Sequence, residues 1–135
     1  MSIWTHVVGC IRIDGIVALG ADKTKVVKIF GPMCTYDKWN DASTLPRGSE
    51  GGLQYQIIEY GQGLRWLVIP IWGDLRDFDT ADVPTITKWW NALLAAFEKE
   101  QSGLVTGIVR DAVLHIQVED CEATVLTFKA KGPVA

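Results

Sequence analysis

Two apolar runs, Leu53–Tyr60 and Leu64–Trp72, flank the short connector Gly61-Gln62-Gly63, and this pattern constrains the fold more than any other in the chain. Both runs are rich in β-branched and aromatic residues, and glycines in so short a connector let the chain reverse directly. The pattern predicts a β-hairpin. Upstream, Ile3–Ile13 reads as a strand ending at the turn signal Asp14-Gly15. Thr24–Phe30 predicts a short helix with Val26, Val27, Ile29 and Phe30 as its apolar face and Gly31-Pro32 as its stop.

Downstream, Val83, Ile86, Trp89, Trp90, Leu93, Leu94 and Phe97 recur at steps of three and four, the spacing of one helix face. Pro84 suits the first turn, the oxygens of Asp79, Thr80 and Asp82 can cap free N–H groups there, and Ser102-Gly103 ends the helix. Leu104–Val118 has strand composition, with Leu114, Ile116 and Val118 alternating against His115, Gln117 and Glu119. Asp120 and Cys121 then turn the chain into a last strand, Ala123–Phe128, and Lys129–Ala135 is expected to fray.

The resulting order predicts an α+β fold, the ferredoxin-like βαββαβ arrangement, with an antiparallel sheet, two helices on one face and an extra C-terminal strand. Alternation places Ile57, Trp66, Val68, Trp72 and Ile116 on the face that the helices leave uncovered. An apolar exposed face normally meets a partner or another copy, so a homo-oligomer is expected.

With 135 residues, 48% hydrophobic and 21% charged, the chain suits one domain, 1–135, with a real core, and six tryptophans supply bulk for that core or for an interface. A formal charge of −3 argues against general binding to a nucleic-acid backbone. Three cysteines, Cys10, Cys34 and Cys121, lack C-x-x-C spacing and read as reduced thiols. The N-terminus lacks signal-peptide character and no apolar stretch approaches the roughly 20 residues of a membrane span, so a cytoplasmic, non-membrane protein is expected.

No residue pattern identifies a metal ligand set, a cofactor or a catalytic group. His6 and His115 lie far apart, and Cys10 has no base at a defined spacing. Arg47-Gly-Ser-Glu-Gly-Gly52 offers glycines whose N–H groups could converge on an anion beside a forked guanidinium, but without the Lys-Ser/Thr of a phosphate-binding loop it reads mainly as a bend into a strand. Trp72-Gly-Asp-Leu-Arg-Asp-Phe-Asp-Thr-Ala-Asp82 reads as a loop in which Asp74 turns the chain, Arg76 bridges Asp77 or Asp79, and the later acids cap the helix.

The segments Leu45-Pro-Arg-Gly-Ser-Glu-Gly-Gly-Leu53 and Ile71-Trp-Gly-Asp-Leu-Arg-Asp-Phe78 resemble those of small uncharacterised proteins encoded by bacteriophages. The resemblance covers the middle third of the chain. It implies a phage or prophage origin and brings no catalytic residues with it. Small acidic phage proteins include antagonists of host defence that bind defence proteins or sequester nucleotide signals.

A non-enzymatic, oligomeric binding protein is therefore expected, its partner a nucleotide-like molecule or a host protein. The ligand-binding set is Arg47, Ser49, Glu50, Trp72, Asp74 and Arg76. Stacking on Trp72 or Tyr36 with phosphate held by arginine fits the nucleotide version, and an exposed aromatic cluster fits a protein. The alternatives are a small hydrolase or phosphodiesterase using Glu50, Asp74 or Asp77, and a structural or assembly component of a virion.

Overall fold

In the computed structural model, strand β1 (Trp4–Ile16) runs through the middle of a six-stranded antiparallel sheet, between β4 (Leu64–Arg76) and β5 (Ile108–Val118). The structure describes residues 3–16, 23–30, 46, 48–60, 64–101 and 108–129. Two short strands, β2 (Gln54–Tyr55) and β3 (Ile58–Tyr60), pair with the outer side of β4, and β6 (Thr124–Lys129) pairs with β5 at the opposite edge. A short helix α1 (Lys23–Phe30) and a long helix α2 (Val83–Gln101) complete the α+β architecture.

Several boundaries differ from the sequence expectation, each for a non-local reason. Asp14-Gly15 does not turn the chain. Asp14 pairs with Trp66 and Gly15 with Arg65, so β1 extends to Ile16 alongside an equally long β4. The ladder outweighs the local turn preference of the dipeptide. Likewise β4 does not stop at Trp72 but continues to Arg76 opposite Trp4, which makes Trp72–Arg76 strand rather than loop. The turn begins at Asp77, held at φ 61°.

The expected strand Leu53–Tyr60 is split at Gln56-Ile57, opposite Pro70 of β4. The amide of Gln56 donates to the carbonyl of Pro70 at 3.2 Å. In a strand the N and C=O of one residue face the same neighbour, so the ring nitrogen of Pro70 also faces this edge and has no proton to return. The connector 61–63, the helix stop at 102–103, the start of the expected strand at 104–107 and the tail 130–135 lie outside the described residues. Lys129, expected in that tail, is the last residue of β6.

Period-two alternation buries Val7, Ile11 and Ile13 of β1, Leu67, Ile69, Ile71 and Leu75 of β4, and Ala112, Leu114, Ile116 and Val118 of β5. Ile86, Trp90, Leu93, Leu94 and Phe97 of α2 join the same core, as its spacing requires. From α1 come Val26 and Phe30, the latter stacked on Tyr55 at 4.1 Å and edge-on to Phe97 at 6.0 Å. Val27, expected on the apolar face of α1, is exposed. Full burial of each large aliphatic or aromatic side chain contributes roughly 1.5–3 kcal/mol.

Ile116 and Ile57 were expected on the uncovered face and are not there. Ile116 pairs with Val7 and is buried under the helices, while Ile57 packs against the core. Val68 and Trp72 do stand on the uncovered face, and the side chain of Trp66 lies outside the described residues. A register shift between Arg12 and Ile13 matches Arg12 to Asp111 and Ile13 to Val109, leaving Arg110 as the additional residue. This bulge reverses the alternation of β5, so that Val109 is buried on the same side as Ala112.

Candidate functional site

The glycine-rich segment 48–53 lies directly on the end of β4, so the two stretches singled out in the sequence do meet. Ser49 N donates to the Arg76 carbonyl at 2.9 Å and Arg76 N to the Glu50 carbonyl at 3.0 Å. Gly48 N closes a turn onto the Gly51 carbonyl at 2.9 Å, and Leu53 N reaches the Pro46 carbonyl at the same distance. The glycines permit this approach. A Cβ at Gly48 would lie 2.2 Å from the Arg76 carbonyl oxygen, and one at Gly51, whose φ is +74°, would lie 2.1 Å from that of Asp74.

Side chains lock the same junction. The Arg76 guanidinium donates to Glu50 at 2.5 Å, and the Ser49 hydroxyl donates to the Asp77 carboxylate. Arg76 therefore pairs across the junction to Glu50, a partner the sequence did not suggest. Asp74, expected to turn the chain, instead sits in β4 and meets His6 Nδ1 at 2.6 Å across the β1–β4 ladder. The remaining acids, expected to cap α2, instead use their carboxylates to order the turn before it, and only the backbone carbonyl of Asp82 reaches a helix N–H. Asp79 accepts from Ala81 N at 2.8 Å, and Asp82 accepts from Asp79 N at 3.1 Å through its carboxylate and from Thr85 N at 3.0 Å through its carbonyl. The buried Thr5 hydroxyl is satisfied by the Phe78 carbonyl at 2.6 Å, which fixes this turn against β1.

Of the expected ligand set, Ser49, Glu50 and Arg76 are thus brought together, and Trp72 and Asp74 continue the column on the same face of β4. Arg47 and Tyr36 lie outside the described residues. The grouping is one of satisfied pairs: Glu50 answers Arg76, His6 answers Asp74, and Ser49 answers Asp77. An anion seeking Arg76 must compete with a carboxylate already in contact, so this junction is built first as a clamp between the bend and β4.

The nucleophile arrangement is not formed either. Cys10 and His6 share a face of β1 four residues apart, about 13 Å at the rise of a strand, and Cys10 stands opposite Val113 rather than His115. Burial, with the Asp111 carboxylate adding to it, raises the Cys10 thiol above its ordinary value, while a backbone hydrogen bond at Ile69 acts in the other direction. A raised thiol holds less of the reactive thiolate. Among the described residues no group of three or more His, Cys, Asp or Glu side chains could hold a metal ion. No helix among them is long and apolar enough to cross a membrane.

Sequence reasoning underestimated the uncovered face of the sheet. The register sets Trp72, Val8, His115 and Val125 in one row across four strands, with Pro70, Cys10, Val113 and Thr127 in the next. Val8 is 61% exposed, Val125 54%, Val113 41% and Trp72 40%, and Ile58 is exposed at the edge beyond Val68. The signal was present in β1, where Val8 and Cys10 alternate with Val7, Gly9 and Ile11, so both faces are largely free of charge. A separate hollow of about 370 Å³ lies far from the Arg76 end, between β5 and β6, lined by Asp111, Ala112, Val113, Thr127, Phe128 and Lys129. No protein-family model, curated protein or solved structure matches the chain.

Proposed function

We propose that this is a non-enzymatic binding protein whose working surface is the uncovered face of the sheet and whose partner is a protein. The observation that carries the reading is the apolar band of Trp72, Val8, Val113 and Val125, exposed on a rigid sheet instead of buried. Apolar patches of this kind mark interaction surfaces, and a large exposed aromatic such as Trp72 is a frequent energetic anchor in them. A protein partner fits better than a nucleotide because Arg76 already holds Glu50 at 2.5 Å.

The frame is read as ferredoxin-like. Support comes from the order β2-β4-β1-β5, with β2 and β3 counted as one interrupted strand, helices following β1 and β4, and β6 as an added edge. The phage setting, and antagonism of a host defence protein as the purpose of binding, rest on the resemblance of the two motif segments and are part of the same proposal.

The test compares affinity capture from host lysate by the wild type with capture by Val8→Glu/Trp72→Glu, alongside thermal denaturation of the wild type with cyclic and linear nucleotides. The reading expects a retained protein that the double variant loses while its own melting stays cooperative, and no nucleotide-dependent gain in stability. A gain that disappears in Arg76→Ala would replace it with the nucleotide reading.

A further inference from the structure

Among the described residues the outer edge of β6 has no partner strand, a second open feature of the sheet beside the apolar face. β6 pairs with β5 on one side and ends the strand order on the other. Its sequence, Thr124-Val-Leu-Thr-Phe-Lys129, contains no proline or glycine, and its one charge is at the last position. Exposed edges are normally blunted by central charges, proline, bulges or extreme shortness, because a row of free N–H and C=O groups recruits another strand. None of these devices occurs within β6. Leu126 and Phe128 pack against the core yet remain only partly buried, so the apolar layer beneath the sheet is also left open at this flank.

We infer that this edge is occupied by β6 of a second copy, paired antiparallel about a two-fold axis so that the two sheets become continuous. An antiparallel strand complements itself under such an axis, provided that partners come from the same face. That condition requires the numbers of paired residues to sum to an even value. The register centred on Leu126 satisfies it: Leu126 meets the second copy's Leu126, Phe128 meets its Thr124, and Val125 meets its Thr127. On the helix side Leu126 then meets its own counterpart with Phe128 against the second copy's Thr124, and Lys129 falls opposite the second copy's Ala123 rather than another charge. The row Trp72, Val8, His115 and Val125 would end at the dimer axis, next to Thr127 of the other copy.

The register makes the proposal testable in the full-length protein, since Val125 and Thr127 are both exposed and their replacement does not disturb the core. Val125→Lys/Thr127→Lys sets like charges directly opposite one another twice across the axis, whereas Val125→Lys/Thr127→Glu sets opposite charges there. Light scattering at about 100 µM, well above a micromolar Kd, should give twice the chain mass for the wild type and for the Lys/Glu variant. The Lys/Lys variant should give the single-chain mass. Val8→Lys, on the apolar face, should leave the dimer intact.

A monomeric wild type, a dimeric Lys/Lys variant, or loss of the dimer in Val8→Lys would each overturn the edge pairing; the last outcome would mean that the copies meet through their faces. If the Lys/Lys variant does not fold, hydrogen exchange of the wild type decides the matter. Amides of β6 should become more protected as concentration rises, and concentration-independent exchange there would equally overturn it. The outcome is separate from the protein-partner reading, because capture of that partner is tested at Val8 and Trp72.

Discussion

Arg76 and Glu50, 26 residues apart in sequence, hold one another at 2.5 Å across the junction of the glycine-rich bend and β4. Both charges are partly exposed, at 37% and 55% of their side-chain surface. Water and salt screen such a pair, so a double-mutant cycle with Arg76→Ala and Glu50→Ala should give a coupling of about 1 kcal/mol or less by urea denaturation. A coupling several times larger would mean that the pair is far less solvated than its exposure indicates.

The backbone at the same junction is far less forgiving. Gly51→Ala must place a Cβ at positive φ within 2.1 Å of the Asp74 carbonyl oxygen, and Gly48→Ala within 2.2 Å of that of Arg76. Each should lower stability by about 2 kcal/mol or more: at Gly51 strained backbone alone costs on the order of 1–3 kcal/mol, and at Gly48 the Cβ must push the facing β4 backbone away. Melting temperatures within a degree of wild type would show that the bend can lift away from β4 at little cost.

Two tryptophans should behave differently on truncation. Trp90 is 1% exposed within the core, and Trp90→Ala should cost about 3–5 kcal/mol. Trp72 is 40% exposed on the uncovered face, and Trp72→Ala should cost about 1 kcal/mol or less. Comparable losses in denaturant titrations of the two variants would contradict the assignment of Trp72 to a surface for binding rather than for folding.

Cys10 and Cys121 should differ in reactivity. Burial, followed by Asp111, raises the Cys10 thiol above its ordinary 9.0, whereas Cys121 is exposed at a turn. Peptide mapping after brief iodoacetamide treatment near pH 8 should find Cys121 modified well before Cys10. The same shift sets a pH dependence. The unfolded chain releases this proton first, so the contribution of Cys10 to stability is complete below its ordinary value of 9.0 and declines as pH rises through the higher folded value. Cys10→Ser should flatten the alkaline decline relative to wild type. An unchanged slope would remove Cys10 as its cause.

What the sequence made legible was periodicity. The face Ile86, Trp90, Leu93, Leu94 and Phe97 follows directly from spacing, as does the turn at Asp120, whose φ of 61° suits a short polar side chain. What it concealed was decided by neighbours. Asp14-Gly15 and Gly73-Asp74 carry local turn preference, yet each is held extended by a facing strand that lies 48 or more positions away. The face of Ile116 depended on a strand register that alternation alone does not fix, since a one-residue slip exchanges the two faces. At the candidate site, proximity of the two motif segments was a question the sequence could pose. The pairing of Arg76 with Glu50, and of Asp74 with His6, required the ladder that puts them side by side.

The central position of β1 also sets an order of events at the ribosome. Its partners on β4 are made 48 to 72 residues later, and those on β5 later still. At synthesis rates of about 5–20 residues per second the first strand waits roughly 2–14 s before its first ladder can close. For that interval Val7, Val8, Ile11 and Ile13 emerge as a bare β-prone segment, and hold-type chaperones that recognise extended apolar chain have their best opportunity on this protein before β4 is made.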